Sequence, residues 1–173
     1  MPSTATVLAV IVITLGFTAF FGAPYVPSRR KELNKLFNHA YRLSTDDTLV
    51  DLGSGDGVVL RVARQYGARA VGYELGPVYY LVSKLLARGD KKQVIKMASY
   101  WSSDFPEDTT VVYAFSDGRD INRVGELVQR QADKLQKKLT FIALGADITG
   151  KVPTRSYRAY HLYEFTPCHQ VKA

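Results

Sequence analysis

One cysteine, one tryptophan, two methionines and three histidines in 173 residues leave little material for several kinds of chemistry. A lone Cys168 cannot close an intramolecular disulfide, which excludes a disulfide-stapled secreted scaffold and agrees with a reducing compartment. His39, His161 and His169 are scattered, with no serine-histidine pairing and no metal-ligand spacing. Neither triad-type hydrolysis nor a metal centre is therefore indicated, and surface or packing roles are expected for all three. Internal repeats and low-complexity stretches are missing as well. Charge is missing from one end only: no charged side chain precedes Arg29.

From Thr4 to Ala23 the chain reads TATVLAVIVITLGFTAFFGA. At a rise of about 1.5 Å per residue, about 20 such residues cross a hydrocarbon core of about 30 Å. A buried core helix would show a polar face, and none exists over about five turns. A cleaved signal peptide carries its basic residues before the apolar run, whereas Arg29, Arg30 and Lys31 come after it. Residues 4–23 are expected to be a transmembrane anchor. The trailing positive charge puts the remaining chain on the cytoplasmic side, or in the matrix if the segment directs mitochondrial import without cleavage.

The formal net charge of +7 is unevenly spread. Residues 29–44 hold five Lys/Arg against one Glu, residues 45–150 hold fourteen of each sign, and residues 151–173 hold four against one. A neutral central region beside a basic juxtamembrane cluster favours anionic membrane lipid over nucleic acid as the partner. At this length a single domain is expected, with hydrophobic (46%) and charged (23%) fractions near those of ordinary globular proteins.

Pro24-Tyr25-Val26-Pro27-Ser28 cannot continue a regular helix, because both prolines disfavour the helical conformation of the residue before them. It reads as an extended connector. The following RKELNKLFNHAYRL carries Leu33, Leu36, Phe37, Ala40 and Tyr41 at helical spacing, with Ser28 placed to cap it. Residues 24–44 thus form a connector and a packing helix. From Thr48 short β-type runs alternate with helical patterns: TLVDL, VVLRVARQYG, RAVGYEL, PVYYLVSKLLARG, QVIKMASYW, TVVYAFS, INRVGELVQRQADKLQKK, LTFIALGADI and RAYHLYEF. Such alternation implies right-handed crossovers and an α/β fold, a Rossmann-like, doubly wound, mostly parallel sheet over residues 45–173.

The most informative stretch is Val50-Asp51-Leu52-Gly53-Ser54-Gly55-Asp56-Gly57, where a buried strand turns into a helix. Glycines at alternate positions let the backbone turn tightly and approach a ligand. Amides at the helix start can face an anionic group. The spacing is GxGxG, not the GxGxxG of dinucleotide sites. Asp51, at the strand end, is placed for the cationic amino end of a ligand. Twenty-three residues later Glu74 closes the next strand, where a carboxylate can accept from both hydroxyls of a ribose. A nucleoside-bearing ligand follows.

The DLGSGDG and GYEL pair resembles the first two motifs of class I methyltransferases that use S-adenosyl-L-methionine. With the hydrophobic N-terminal segment and the Pro-aromatic-Val-Pro-Ser connector, residues 5–115 more closely resemble the membrane-associated protein-lysine methyltransferases. That family includes the enzymes modifying the ATP synthase c-subunit and the adenine nucleotide translocator, with prokaryotic relatives. The resemblance implies S-adenosyl-L-methionine as cofactor, with Asp51, Gly53, Ser54, Gly55, Gly57 and Glu74 around it. It also implies a contact from Ser99, Tyr100 and Trp101, where relatives carry an Asp-Leu-Trp-like triplet; Ser99 lacks the acid that would neighbour the adenine.

After the fourth strand Phe115-Ser116-Asp117-Gly118 departs from the Asn/Asp-Pro-Pro-Tyr signature of adenine or glutamine methylation. A lysine acceptor must lose a proton, which desolvation in an aromatic-lined channel favours. Tyr25, Tyr100 and Trp101 are candidates for that wall, and Asp117 for orienting the amine; Tyr25 and Asp117 are the catalytic candidates. A short C-terminal part suggests that the closing antiparallel strands are incomplete. Three function classes stand at this point: a membrane-anchored lysine methyltransferase with a membrane-protein substrate, a methyltransferase acting on lipid or a small molecule, and a non-catalytic nucleoside-binding module.

Overall fold

Thr48–Leu52 forms β1, a strand buried on both faces, and the rest of the fold is arranged about it. The computed structural model describes residues 3, 4, 6, 28–116 and 118–168. The expected anchor, apart from Thr4 and Thr6, lies outside the described residues, as do Tyr25 and Asp117. Among the described residues no helix is long and apolar enough to cross a membrane.

The further strands are β2 (Arg69–Glu74), β3 (Gln93–Met97), β4 (Val111–Ser116), β5 (Leu139–Gly145), β6 (Arg155–Tyr157) and β7 (Tyr160–Phe165). They form one sheet in the order β3-β2-β1-β4-β5-β7-β6. The first five strands run parallel, and β7 is antiparallel to both β5 and β6. The helices are α1 (Arg30–His39), α2 (Val58–Gln65), α3 (Pro77–Leu86) and α4 (Ile121–Leu135). The Rossmann-like reading of a doubly wound, mostly parallel sheet is therefore correct.

Strand alternation divides the core in two. On one face Leu33, Leu36 and Phe37 of α1 and Val59, Leu60 and Val62 of α2 pack with Leu49, Ala70, Val111 and Tyr113. On the other, Ile121, Val124, Leu127 and Val128 of α4 pack with Val50, Val71, Val112 and Phe141. Strand order reverses between β1 and β4, and at such a switch point the carboxyl ends of the strands open a crevice for ligands.

Several local expectations change. Ser28 does not cap α1: Arg29 stands at the N-cap position without a side-chain cap. The Ser28 hydroxyl instead shares a hydrogen bond of 2.9 Å with the Tyr113 hydroxyl. The helix stops at His39, short of the expected Leu43, because the amides of Ala40 and Tyr41 both return to the Leu36 carbonyl and close the last turn. The strand expected to run to Trp101 ends at Met97, and Tyr100–Ser102 forms a single 3-10 turn. The strand expected from Arg158 is a hairpin, with Arg158 at φ 56 in the tight turn that pairs Tyr157 with Tyr160. The closing antiparallel strands are thus present, contrary to the expectation from length.

The hairpin also fastens α1. Arg155 donates to the carbonyls of His39 and Ala40 at 3.2 and 2.8 Å, and Arg158 pairs with Glu32. Phe37 meets the Tyr66 ring edge-on at 5.7 Å, and the Tyr66 hydroxyl reaches the Asn34 carbonyl. Phe37→Ala is expected to cost about 3–5 kcal/mol, since it removes a fully buried ring from this junction. Urea unfolding of the full chain in detergent should show it as a lowered midpoint at unchanged slope.

Candidate active site

The turn after β1 is held by its neighbour strand. The amides of Gly53 and Ser54 both donate to the Tyr73 carbonyl of β2, at 3.0 and 2.9 Å. Gly53, Gly55 and Gly57 take φ of 78, 53 and 78, backbone that side chains with a Cβ rarely adopt. At Gly53 a Cβ would point into open space, so the left-handed conformation alone requires glycine there. At Gly57 a Cβ would lie 2.3 Å from Ser83 Oγ of α3. Gly57 therefore also permits close packing of the turn against α3.

Glu74 joins two turns. One carboxylate oxygen accepts from the Gly55 amide at 2.7 Å and the other from the Gly76 amide at 2.6 Å. A carboxylate has about four lone-pair sites, so both oxygens keep capacity for further donors. Asp56 is neutralised locally: its carboxylate pairs with Arg61 at 2.9 Å, and Arg61 also donates to the Asp56 carbonyl.

Asp51 is different. It is 3% exposed, and among the described residues no side chain or amide donates to its carboxylate and no cation pairs with it. Burial first, then the nearby Glu74 and Asp56 carboxylates, push its carboxyl well above the ordinary range. Within the described residues Asp51 is thus a buried acid without a donor beside two further carboxylates, an arrangement that can accept a cation. Strand alternation turns Asp51 toward the α1 face, and its register partner on β4 is Tyr113, the residue bonded to Ser28. The final residue of the proline-flanked connector thus reaches the strand beside Asp51. Sequence reading did not single out Tyr113; an aromatic inside an apolar strand run gives no signal beyond core packing.

At the end of β3, Ser99 accepts from the Trp101 amide at 3.3 Å and caps the 3-10 turn. The Tyr100 and Trp101 rings lie 4.8 Å apart, and the Arg123 guanidinium covers Trp101 at 4.6 Å. Burial, and then Asp120, raise the Tyr100 hydroxyl above its ordinary value. Register puts Met97 opposite Glu74, and Tyr73 opposite Leu52, so the glycine turn, Glu74 and the Ser99 turn share one edge of the sheet. Ser116 closes β4 at that same edge, with its hydroxyl accepting from Gly118. Ser54 Oγ is buried there without a partner among the described residues.

The Asp51 environment gives a pH test. With the folded-state value raised, the native state holds this proton more tightly than the unfolded chain, so Asp51's stabilising contribution is full below about pH 3.9 and is lost as pH rises through the folded value. Asp51→Asn is expected to remove that fall. Comparing urea-unfolding free energies of the two proteins across the acidic to neutral range reads the difference directly.

No family model matches the chain. It is 32% identical over 121 residues to the rat (Rattus norvegicus) lysine N-methyltransferase of the ATP synthase c-subunit, an alignment covering 68% of this chain and 50% of that protein. It is 31% identical over 122 residues to a protein-lysine N-methyltransferase of Saccharolobus islandicus (strain REY15A), covering 67% of this chain and 70% of that protein. The chain thus spans half the length of the rat relative. Among solved structures, an RNA methyltransferase from Salinibacter ruber in complex with S-adenosyl-L-homocysteine matches 84% of this chain and 96% of its own, at a TM-score of 0.69 and 22% identity. That likeness is one of fold. Identity at this level, extending over most of the archaeal relative and carried on the same sheet architecture, makes the chain a member of the class I S-adenosyl-L-methionine-dependent methyltransferases, distantly related to their protein-lysine methyltransferases.

Proposed function

We propose that the chain N-methylates lysine in a membrane-associated protein, using S-adenosyl-L-methionine, while residues 4–23 hold it in the bilayer. The observation that carries the cofactor reading is the buried Asp51 carboxylate, which no described residue neutralises. Its position suits the α-ammonium of the cofactor. The Gly53–Gly57 turn leaves room for close approach, and the remaining lone pairs of Glu74 suit ribose hydroxyls. Tyr100 and Trp101 offer aromatic surface beside them. When bound, the cofactor supplies a methyl group on a sulfonium that already carries its leaving group.

The chain must then position and deprotonate the acceptor. Ser28 docks on Tyr113 next to Asp51, which supports a connector that brings Tyr25 to the wall of the acceptor channel. Asp117 is next in sequence to Ser116, which closes β4 at that edge, and would orient the amine before it loses its proton into a desolvated surrounding. Both relatives are named for lysine N-methylation, which supports lysine as acceptor. The even balance of charge over residues 45–150 gives no reason to propose a nucleic-acid substrate. The uncharged run and the basic residues after it support a single-pass protein with its domain on the cytoplasmic side, or the matrix side if mitochondrial.

Calorimetric titration with S-adenosyl-L-homocysteine tests the site. Asp51→Asn is expected to weaken binding by about 10- to 100-fold, the value of a charge-assisted hydrogen bond of about 1.5–3 kcal/mol. Binding to the unsubstituted chain should also release a proton, seen as a buffer-dependent heat that the variant lacks. Unchanged affinity and unchanged proton release would refute the assignment. With labelled S-adenosyl-L-methionine and native membranes, label is expected in membrane protein and not in extractable lipid. Deleting residues 1–23 should preserve cofactor binding and sharply reduce that labelling; an undiminished rate would remove the anchor from the proposal.

A further inference from the structure

α3 buries little of its apolar surface. Toward the domain it turns Tyr80, half-buried against the core, and Ser83, buried against Gly57, with Ala87 buried at its C-cap. Its large apolar side chains, Val78, Leu81, Val82 and Leu85, follow the i, i+3, i+4, i+7 spacing of one helical stripe. That stripe faces away from the sheet, with Leu81 63% and Leu85 68% exposed. Met97, at the end of edge strand β3, is exposed as well. A soluble domain normally reverses this pattern, so the stripe calls for an occupant.

The surrounding charge selects one. Residues 75–92 contain Lys84, Arg88, Lys91 and Lys92 against the single Asp90, and Asp90 is paired with Arg64 at 2.7 Å. Lys84 lies on the helix to one side of the stripe, and Arg88 follows in the turn after it. Across a two-fold contact with a second copy, these cations would approach their own counterparts. An anionic lipid surface neutralises them, and their aliphatic stems extend the apolar surface while the charged heads reach the phosphates. α3 also lies on the same sheet face as α1. The proposed anchor segment ends at residue 23, and five residues of extended chain to Ser28 reach at most about 18 Å.

We infer that the α3 stripe is a membrane-docking surface that seats Val78, Leu81, Val82 and Leu85 at the headgroup boundary of an anionic bilayer. The inference goes beyond the methyl-transfer reading and does not depend on it. α3 begins at Pro77, three residues after Glu74, so docking sets the open edge of the sheet against the headgroups. A tether limits the domain's distance from the bilayer, whereas this stripe fixes its orientation.

The test uses the full chain with Cys168→Ser and Leu85→Cys, labelled with an environment-sensitive fluorophore. It is reconstituted at low density in vesicles of phosphatidylcholine, alone or with phosphatidylglycerol, with and without brominated acyl chains. In anionic vesicles the label is expected to shift to the blue, to be quenched by the brominated chains and to resist aqueous iodide. The same label at Glu126→Cys, on exposed α4 surface of the opposite face, should stay open to iodide. Lys84→Gln and Arg88→Gln should each lower the docked-to-undocked ratio about fivefold in anionic vesicles only. A label at position 85 that remains open to iodide in vesicles overturns the inference. So does shielding that persists without bromolipid quenching, since the chain's own N-terminal segment or a protein then covers the stripe, and so does shielding that grows with protein density, which identifies a second copy.

Discussion

The Glu74 carboxylate holds the candidate site together. One side chain at the end of β2 accepts the amide of Gly55 from the preceding crossover and that of Gly76 from the following one, at 2.7 and 2.6 Å. Both amides belong to turns whose backbone groups cannot pair within a sheet or helix, and leaving such groups unsatisfied is costly. The glycine turn, the entry to α3 and the end of β2 thereby become one unit. Gly72 extends the same logic, because a Cβ there would lie 2.5 Å from Ser54 Oγ and 2.7 Å from Leu60 Cδ1. The turn nests on a strand that has given up a side chain to receive it.

Within this unit charge is unevenly satisfied. Asp56 has Arg61, and Glu74 has two amides, but Asp51 has neither among the described residues. A protein that only had to fold would do better with an apolar side chain at the end of β1. The stability forgone there is the kind of local conflict that marks a ligand site. Tyr113 and Ser28 connect that acid to the chain entering the domain, so the candidate site borders the segment before it.

The alternation of apolar runs and helical stripes from Thr48 onward specifies the sheet, because each period leaves a distinct pattern. Pro77 and Gly89 mark the ends of α3 for equally local reasons, one by its fixed φ and the other by its φ of 89. The β6 and β7 hairpin is less legible. Arg158 takes a left-handed turn that its residue type does not advertise, and the hairpin is held by partners outside itself, β5 beside β7 and α1 against Arg155 and Arg158. Ser28 misleads for the same reason: its type favours a helix cap, yet a buried tyrosine hydroxyl offers a better partner. Glu74 is legible as a site candidate from its place at a strand end, but its work in joining two turns is visible only in three dimensions.

The clasp between α1 and the hairpin has a bearing on biosynthesis. Arg155 and Arg158 reach back 115 and 126 residues to Ala40 and Glu32. At ribosomal speeds of roughly 5–20 residues per second, α1 waits on the order of ten seconds for these partners, and longer until the hairpin clears the exit tunnel. During that interval Leu33, Leu36 and Phe37 have no finished core to enter. Closure of the domain on α1 therefore waits for the last part of the chain to be made.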